Sequence, residues 1–444
     1  MTTELLQQVR VIDPVSGIDN ITDVLIADGV IQAIAVNISD ISPDTQIRDC
    51  RGLVLGPGLV DLYSHSGEPG FEERETLSSL MQAAATGGFT RISILPNTSP
   101  AIDNPGLVAQ LQKRVQGIGD RGQGNNSSPT PPTSSSPPTP PSPPLPHLHI
   151  WGAMTLDVAG KQMTELADLA AAGVIGFTDG LPLDNLSLVR RVLEYVQPLG
   201  KPVAFWACDR LLTANGVMRE CADAIRFGLP PIPASAETTA IAALLELVAA
   251  TGNRQVHIMR VSTARSVELI AAAKAQGLPI SASTTWLHLL LDTKAIKSYN
   301  SSLHLDPPLG TASDVKALRE GVRTGVIDAI AIDHAPYTYE EKVQAFAEAP
   351  AGAIGFELAL PLLWQHLVET GEFTALELWQ ALSNRPAECL QQKVTAVATN
   401  HKAELTLFDP QKIWQVEKKN LYTLSQNTSW LGQELQGRVV QIWV

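Results

Sequence analysis

The sequence predicts an α/β fold: a TIM-type (β/α)8 barrel carrying a small β-sandwich domain assembled from both termini. Three observations point there. Eight strand-like runs alternate with amphipathic segments through the middle of the chain, at 59–65, 90–97, 147–154, 173–180, 202–209, 255–263, 279–286 and 328–336. Strand-like alternation without intervening helices occupies both ends of the chain. The length, 444 residues, exceeds one ordinary sandwich and suits a barrel of about 250 residues enlarged by insertions and a small domain.

Taken in order, residues 1–55 form the first part of the small domain. They include VLIADGVIQAI, in which Asp28-Gly29 between apolar runs is a hairpin signal. Residues 56–390 hold the barrel. Segments such as ETLSSLMQAAATGG, NLSLVRRVLEYVQPLG and SVELIAAAKAQG follow the strand runs, and several end in Gly, a helix stop. This β-then-α order closes as a parallel barrel. Residues 122–146 interrupt it. Within them, 127–146 are all Ser, Thr or Pro except Leu145, so the insert cannot bury apolar surface and is expected to be a disordered loop. It follows a helix and precedes a strand, which puts it on the N-terminal face of the barrel, away from the chemistry. Residues 391–444 return AELTLFDP and GRVVQIWV as the last strands of the small domain.

Composition narrows the function. Lys plus Arg number 32 and Asp plus Glu 45, a formal charge of −13, which argues against general binding to a nucleic-acid backbone. Hydrophobic residues make up 44%, enough for a large core and too many for global disorder. Four cysteines without a CxxC pair exclude a disulfide scaffold and a thiolate zinc finger. The N-terminal MTTELLQQVRVIDP lacks the features of a signal peptide, and no apolar run approaches the ~20 residues of a membrane span. The expectation is a cytoplasmic protein that binds neither membrane nor nucleic acid.

Barrel chemistry belongs at the C-terminal ends of the strands. Those ends present Asp61, Tyr63 and His65; Asn97; Thr178 and Asp179; Trp206 and Asp209; Arg260 and Ser262; Thr285 and Trp286; Asp333 and His334. That is a more polar mouth than packing alone requires.

The stretch GPGLVDLYSHSGEPGFEERETLSSLMQAAATGGFTRISILPNTSPAIDNP resembles the dihydroorotase family of the amidohydrolase superfamily. GVIGFTDGLPLDN, HIMRVSTARSVELI, the DHAP segment around Asp333 and GAIGFELALPLL continue the resemblance in order, from about residue 8 to the C-terminus, excepting the insert. The resemblance implies an amidohydrolase-type barrel. In active members it implies one or two zinc ions whose bound hydroxide opens or closes a cyclic amide, with an Asp moving the proton.

Against that pattern, the family's DxHxH reads Asp61-Leu62-Tyr63-Ser64-His65, so the first imidazole is Tyr63 and the second is kept as His65. The carboxylate-gripping Arg is Gly67, while Asn97, the second substrate contact, is kept. FTDG keeps Asp179, one residue short of the active pattern, which makes it the weakest of the ligand candidates. The metal-binding His positions of the fifth and sixth strands are Trp206 and Arg260. Asp333 stands where the family's catalytic acid/base and metal ligand stands, and the following substrate His is Tyr337. His65 and Asp333 are thus remnant metal ligands, too few for zinc, and Arg260 stays protonated and repels a dication.

Other residues have plainer readings. His147 and His149 imitate an HxH pair but lie at a strand start. His257 is a candidate replacement ligand. Trp206 and Trp286 are expected to fill the emptied cavity, and Cys208 to be an ordinary buried thiol. The resulting expectation is a catalytically inactive dihydroorotase-like protein of de novo pyrimidine biosynthesis, without a cofactor, serving as a structural partner of aspartate transcarbamoylase; a homo-oligomer is compatible with it. The alternatives are an active, zinc-dependent dihydroorotase or related cyclic amidohydrolase, in which His65, Asp333, Asp179 and His257 converge, and a small-carboxylate binder using Asn97 and Arg260.

Overall fold

The structure, a computed structural model, describes residues 3–122, 144–252 and 256–444. Five N-terminal strands begin it: β1 (Thr3–Asp13), β2 (Ile18–Ala27), β3 (Val30–Ala35), β4 (Gln46–Asp49) and β5 (Val54–Pro57). Then come β6 (Leu59–Val60), β7 (Phe89–Ile94), β8 (His147–Gly152), β9 (Gly176–Phe177) and β10 (Val203–Trp206). A two-stranded ribbon, β11 (Met218–Arg219) and β12 (Pro231–Ile232), precedes β13 (Val256–Met259), β14 (Ile280–Thr285) and β15 (Ala329–Ala331). The chain ends in β16 (Leu405–Gln415) and β17 (Glu434–Trp443).

Both termini build the small β domain. Its seven strands hydrogen-bond as one mixed sheet, β17-β16-β5-β1-β2-β3, with β4 paired to β1. Asp28-Gly29 joins β2 to β3 with φ of 52° and 72°, the positive pair that a type I′ turn needs. Register shifts between Leu6 and Val9 and between Leu407 and Phe408 bend this sheet around Leu6, Val9, Val24, Ile31, Leu55 and Leu405.

Eight further strands form a curled parallel sheet in the order β15-β14-β13-β10-β9-β8-β7-β6. Helices follow the strands and bury their apolar stripes on its outer side; Leu188, Val189, Val192, Leu193 and Val196 of the helix Leu186–Val196 are all buried. That helix starts where Asn185 Oδ1 caps the N–H groups of Ser187 and Leu188. Small and large side chains alternate in the interior: Ala204, Ala329 and Ala331 make room for Tyr63, Trp151, Trp206 and Met259. The helix Pro105–Gly122 ends where the Ser/Thr/Pro insert begins, and most of that insert, 123–143, lies outside the described residues.

The sheet meets itself at its seam through hydrogen bonds of the chain after β6. His65 N–H donates to His334 O (2.8 Å), and Ile332 N–H donates to the Asp61 carboxylate (2.9 Å). Ser64 Oγ donates to the other Asp61 oxygen (2.6 Å) and accepts from His334 N–H (3.1 Å). Full burial pushes the Asp61 carboxyl up to about 8, although these hydrogen bonds pull the other way.

Asp61→Ala leaves Ile332 N–H and Ser64 Oγ–H without acceptors and is expected to cost about 2–4 kcal/mol in urea unfolding. The folded state keeps the Asp61 proton up to about pH 8, whereas an unfolded Asp releases it near pH ~4. This part of the stability is therefore complete below pH ~4 and declines as pH rises to about 8. Asp61→Asn should flatten that decline, and an unchanged slope would contradict the assignment.

Candidate functional site

Four strand ends converge at the C-terminal mouth. The segment after β6 brings His65, β7 leads to Asn97, β13 to Arg260 and β15 to Asp333. β10 adds Trp206 as a floor. Together with Asp306 and Tyr337 they line a cavity of about 240 Å³.

Arg260 lies at the centre, its side chain 4% exposed. Its Nε donates to Asp333 Oδ2 and its Nη2 to Asp333 Oδ1, both at 2.7 Å, a two-pronged pair. Nη2 also reaches His65 Nε2 at 3.1 Å, and Nη1 donates to Gly180 O at 3.1 Å. The guanidinium lies over the Trp206 ring, Cζ 4.7 Å from its centroid. Burial opposes the charge on Arg260, but the Asp333 carboxylate outweighs it and moves the pKa up. Arg260 and Asp333 both hold left-handed backbone, φ 55° and 49°, a costly setting for a side chain as long as arginine's and a milder one for aspartate.

This arrangement settles the His65 tautomer. An arginine N–H only donates, so His65 Nε2 accepts and the proton of the neutral ring sits on Nδ1. The Asn97 amide nitrogen stands 3.3 Å from Nδ1; two donors cannot bond, so with this tautomer the amide is turned to put its oxygen there. Burial, helped by the Arg260 charge and opposed by Asp333, pulls the His65 pKa down to about 4, so the ring is neutral near pH 7.

The other ligand candidates are committed elsewhere. Asp179 accepts from Met154 N–H (2.7 Å), Thr155 N–H (3.0 Å) and Thr155 Oγ1 (2.5 Å), which fixes the loop after β8. His257 lies deeper in the barrel, each ring nitrogen 2.8 Å from a serine, Ser281 and Ser283. Tyr63 Oη bonds Ser283 Oγ (2.9 Å) and accepts from Arg260 N–H (3.1 Å). The convergence of His65, Asp333, Asp179 and His257 required for a rebuilt metal site therefore does not occur. Among the described residues, no three His, Cys, Asp or Glu side chains gather where they could hold a metal ion. Zinc does not fit this donor set: the two remaining ligands already share a guanidinium, and Trp206 offers no lone pair.

The position of the carboxylate-gripping Arg is closed as well. A Cβ on Gly67 would collide with the carbonyls of Phe71 and Glu75, so the loop backbone itself excludes any longer side chain. Of the two tryptophans expected to fill the cavity, Trp206 lines it, whereas Trp286 is buried against Trp430, ring centroids 5.5 Å apart. His147 and His149 stay at the start of β8, beside Arg91 and Glu404. Burial pushes the Cys208 thiol up to about 12, which leaves it unreactive.

Comparison with known proteins places this mouth in context. The profile of the amidohydrolase family matches residues 54–444. A probable dihydroorotase-like protein of Synechocystis sp. is 44% identical over 448 residues, covering 99% of both chains. Dihydroorotases of Syntrophus aciditrophicus and Pelotomaculum thermopropionicum are 35% and 36% identical over 441 and 434 residues, covering 99% and 98% of this chain and 97% and 95% of theirs. The chain belongs to the dihydroorotase-like amidohydrolases. Solved structures agree on the fold: L-hydantoinase from Arthrobacter aurescens superposes with a TM-score of 0.80 at 20% identity, covering 99% of this chain and 94% of its own. Within this family, the chain keeps the barrel and lacks a metal-binding donor cluster among its described residues.

The central part played by Arg260 was not foreseen from sequence. Its signal was a charge exchange: two imidazole positions became Tyr63 and Trp206, while a third became a cation able to answer Asp333.

Because the folded pKa of His65 lies near 4 and the unfolded one near ~6.5, acid favours unfolding as pH falls through that window. Nitrogen-15 NMR of labelled histidine should show His65 protonated on Nδ1, with shifts constant from about pH 8 to 5. A titration centred near pH ~6.5 would contradict the arginine-bound ring.

Proposed function

We propose that this chain is a non-catalytic dihydroorotase-like protein of de novo pyrimidine biosynthesis that serves as a structural partner of aspartate transcarbamoylase. The observation that carries the reading is the Arg260 guanidinium lying on both Asp333 and His65. Ring opening in this family's manner needs a water made acidic by an ion. Here the acid/base Asp333 has both oxygens on arginine, and His65 has lent its lone pair to the same group. Asp333, His65 and Asn97 keep their family positions but not the surroundings that would make them reactive.

A fold retained with its catalytic centre filled is what an interface role would preserve, since a barrel can serve binding with no chemistry at its mouth. The 35% identity to a protein named dihydroorotase favours the active alternative by overall similarity. The donor set argues against it, because similarity spread over the whole chain does not restore the missing imidazoles.

Purified chain should contain far less than one zinc per molecule by elemental analysis and should not open dihydroorotate above the uncatalysed rate. It should co-elute with aspartate transcarbamoylase of the same cell in size-exclusion chromatography. Stoichiometric zinc, with turnover abolished by Asp333→Asn, would overturn the non-catalytic reading. Elution as a separate species at micromolar concentration would overturn the partnership alone.

A further inference from the structure

A half-buried carboxylate and an imidazole lone pair that point at one another are held together best by a cation between them. We propose that the Arg260 guanidinium is a built-in structural cation: it holds Asp333 and His65 in register, so that this end of the barrel assembles without any metal ion.

Four observations carry this. First, Nη2 bridges the two groups, 2.7 Å from Asp333 Oδ1 and 3.1 Å from His65 Nε2, and those acceptors stand 3.8 Å apart. Two zinc bonds of about 2.1 Å at a tetrahedral angle would separate their donors by ~3.4 Å. The guanidinium thus spans a gap close to the one a metal would span, and it uses the same lone pairs.

Second, His65 is turned for this partner from behind. Its Nδ1 edge stands 3.3 Å from the Asn97 amide, which, turned to accept from Nδ1–H, directs Nε2 at the arginine in the way that outer hydrogen bonds orient metal-binding imidazoles. Third, Arg260 and Asp333 both hold left-handed backbone, and such strain persists only where surrounding contacts over-determine it. Their paired 2.7 Å bonds are contacts of that kind. Fourth, the guanidinium is held on its remaining sides by the Trp206 face and Gly180 O, so it is fixed as an ion in a site would be.

The inference stands apart from the partnership proposed above, and its test involves neither turnover nor aspartate transcarbamoylase. Thermal unfolding of the full chain is compared in EDTA and in excess zinc. The wild type should melt at the same temperature in both. Arg260→Ala should melt about 3–5 °C lower in EDTA, because it strands a largely buried carboxylate. Excess zinc should not return that loss, because two donors are too few to hold the ion, and the loss should shrink when Arg260→Ala is made in an Asp333→Asn background. Arg260→Lys, which keeps the charge but loses the fork, should fall between.

An EDTA-induced drop in the wild type would overturn the proposal. So would an unchanged melting temperature in Arg260→Ala, or an alanine loss of equal size in the Asp333→Asn background. If Arg260→Ala yields no folded protein, Arg260→Lys decides: a melting temperature below the wild type in EDTA supports the proposal, and one equal to it overturns it.

Discussion

A guanidinium with 4% of its side chain exposed keeps its charge only if a carboxylate answers it at hydrogen-bond distance. In this barrel that carboxylate is Asp333, and the rest of the mouth is arranged around the pair. Trp206 supplies a face beneath the guanidinium, Gly180 a carbonyl beside it, and Tyr63 an oxygen for the Arg260 backbone N–H. The tautomer of His65 and the orientation of Asn97 follow from the direction in which an arginine donates. A polar thread also runs from this pair into the barrel, Arg260 to Tyr63 to Ser283 to His257 to Ser281. Buried networks of this sort are costly when broken at one member and specify one arrangement when complete.

The frame beneath the mouth rests on different bonds. The seam between β6 and β15 is sealed by Asp61 and Ser64 and by the backbone bond from His65 to His334, none of which involves Arg260. The interior layer is filled by Tyr63, Trp151, Trp206 and Met259 against small residues. Changes at the mouth can therefore accumulate while the barrel persists. This separation of frame from chemistry lets family membership coexist with a centre that zinc does not fit.

How much of this was legible in the sequence varied with the range of the interaction. Local signals were reliable. Asp28-Gly29 predicted its turn because two positive φ angles are a property of two adjacent residues, and the helices followed from their apolar stripes and caps. The eight strands were legible as runs, although several extend over fewer residues than the runs suggested, because the strand ends turn away to carry the mouth. Pairings between strands were harder. Arg260 and Asp333 are 73 residues apart, and nothing local to either says that they meet. The sequence offered Arg260 as a missing imidazole or as a grip for a small carboxylate, not as the partner of Asp333. His257 stayed open as a ligand because strand position alone did not say how deep in the barrel it lies. Likewise Asp179 differs from a ligand only in that Met154 and Thr155 hold its oxygens.

The same pair bears on what the cavity can hold. A mouth that grips a dicarboxylate needs cationic donors free to fork onto it. Arg260 has no fork to spare, since four of its five N–H groups are engaged by Asp333, Gly180 or His65 and only one, on Nη1, is left. Its charge is cancelled by Asp333. The position of a second arginine is filled by loop backbone around Gly67. What remains at the cavity rim is Asp306, a carboxylate with no ion pair among the described residues. With His65 neutral and the Arg260 charge cancelled, the groups lining the cavity carry no net positive charge, so a small anion entering there finds no clamp. This counts against a carboxylate binder built on Asn97 and Arg260. It also means that restoring imidazoles alone would not restore a substrate site: the arginine that stands in for the ion would have to leave, and the loop at Gly67 would have to open.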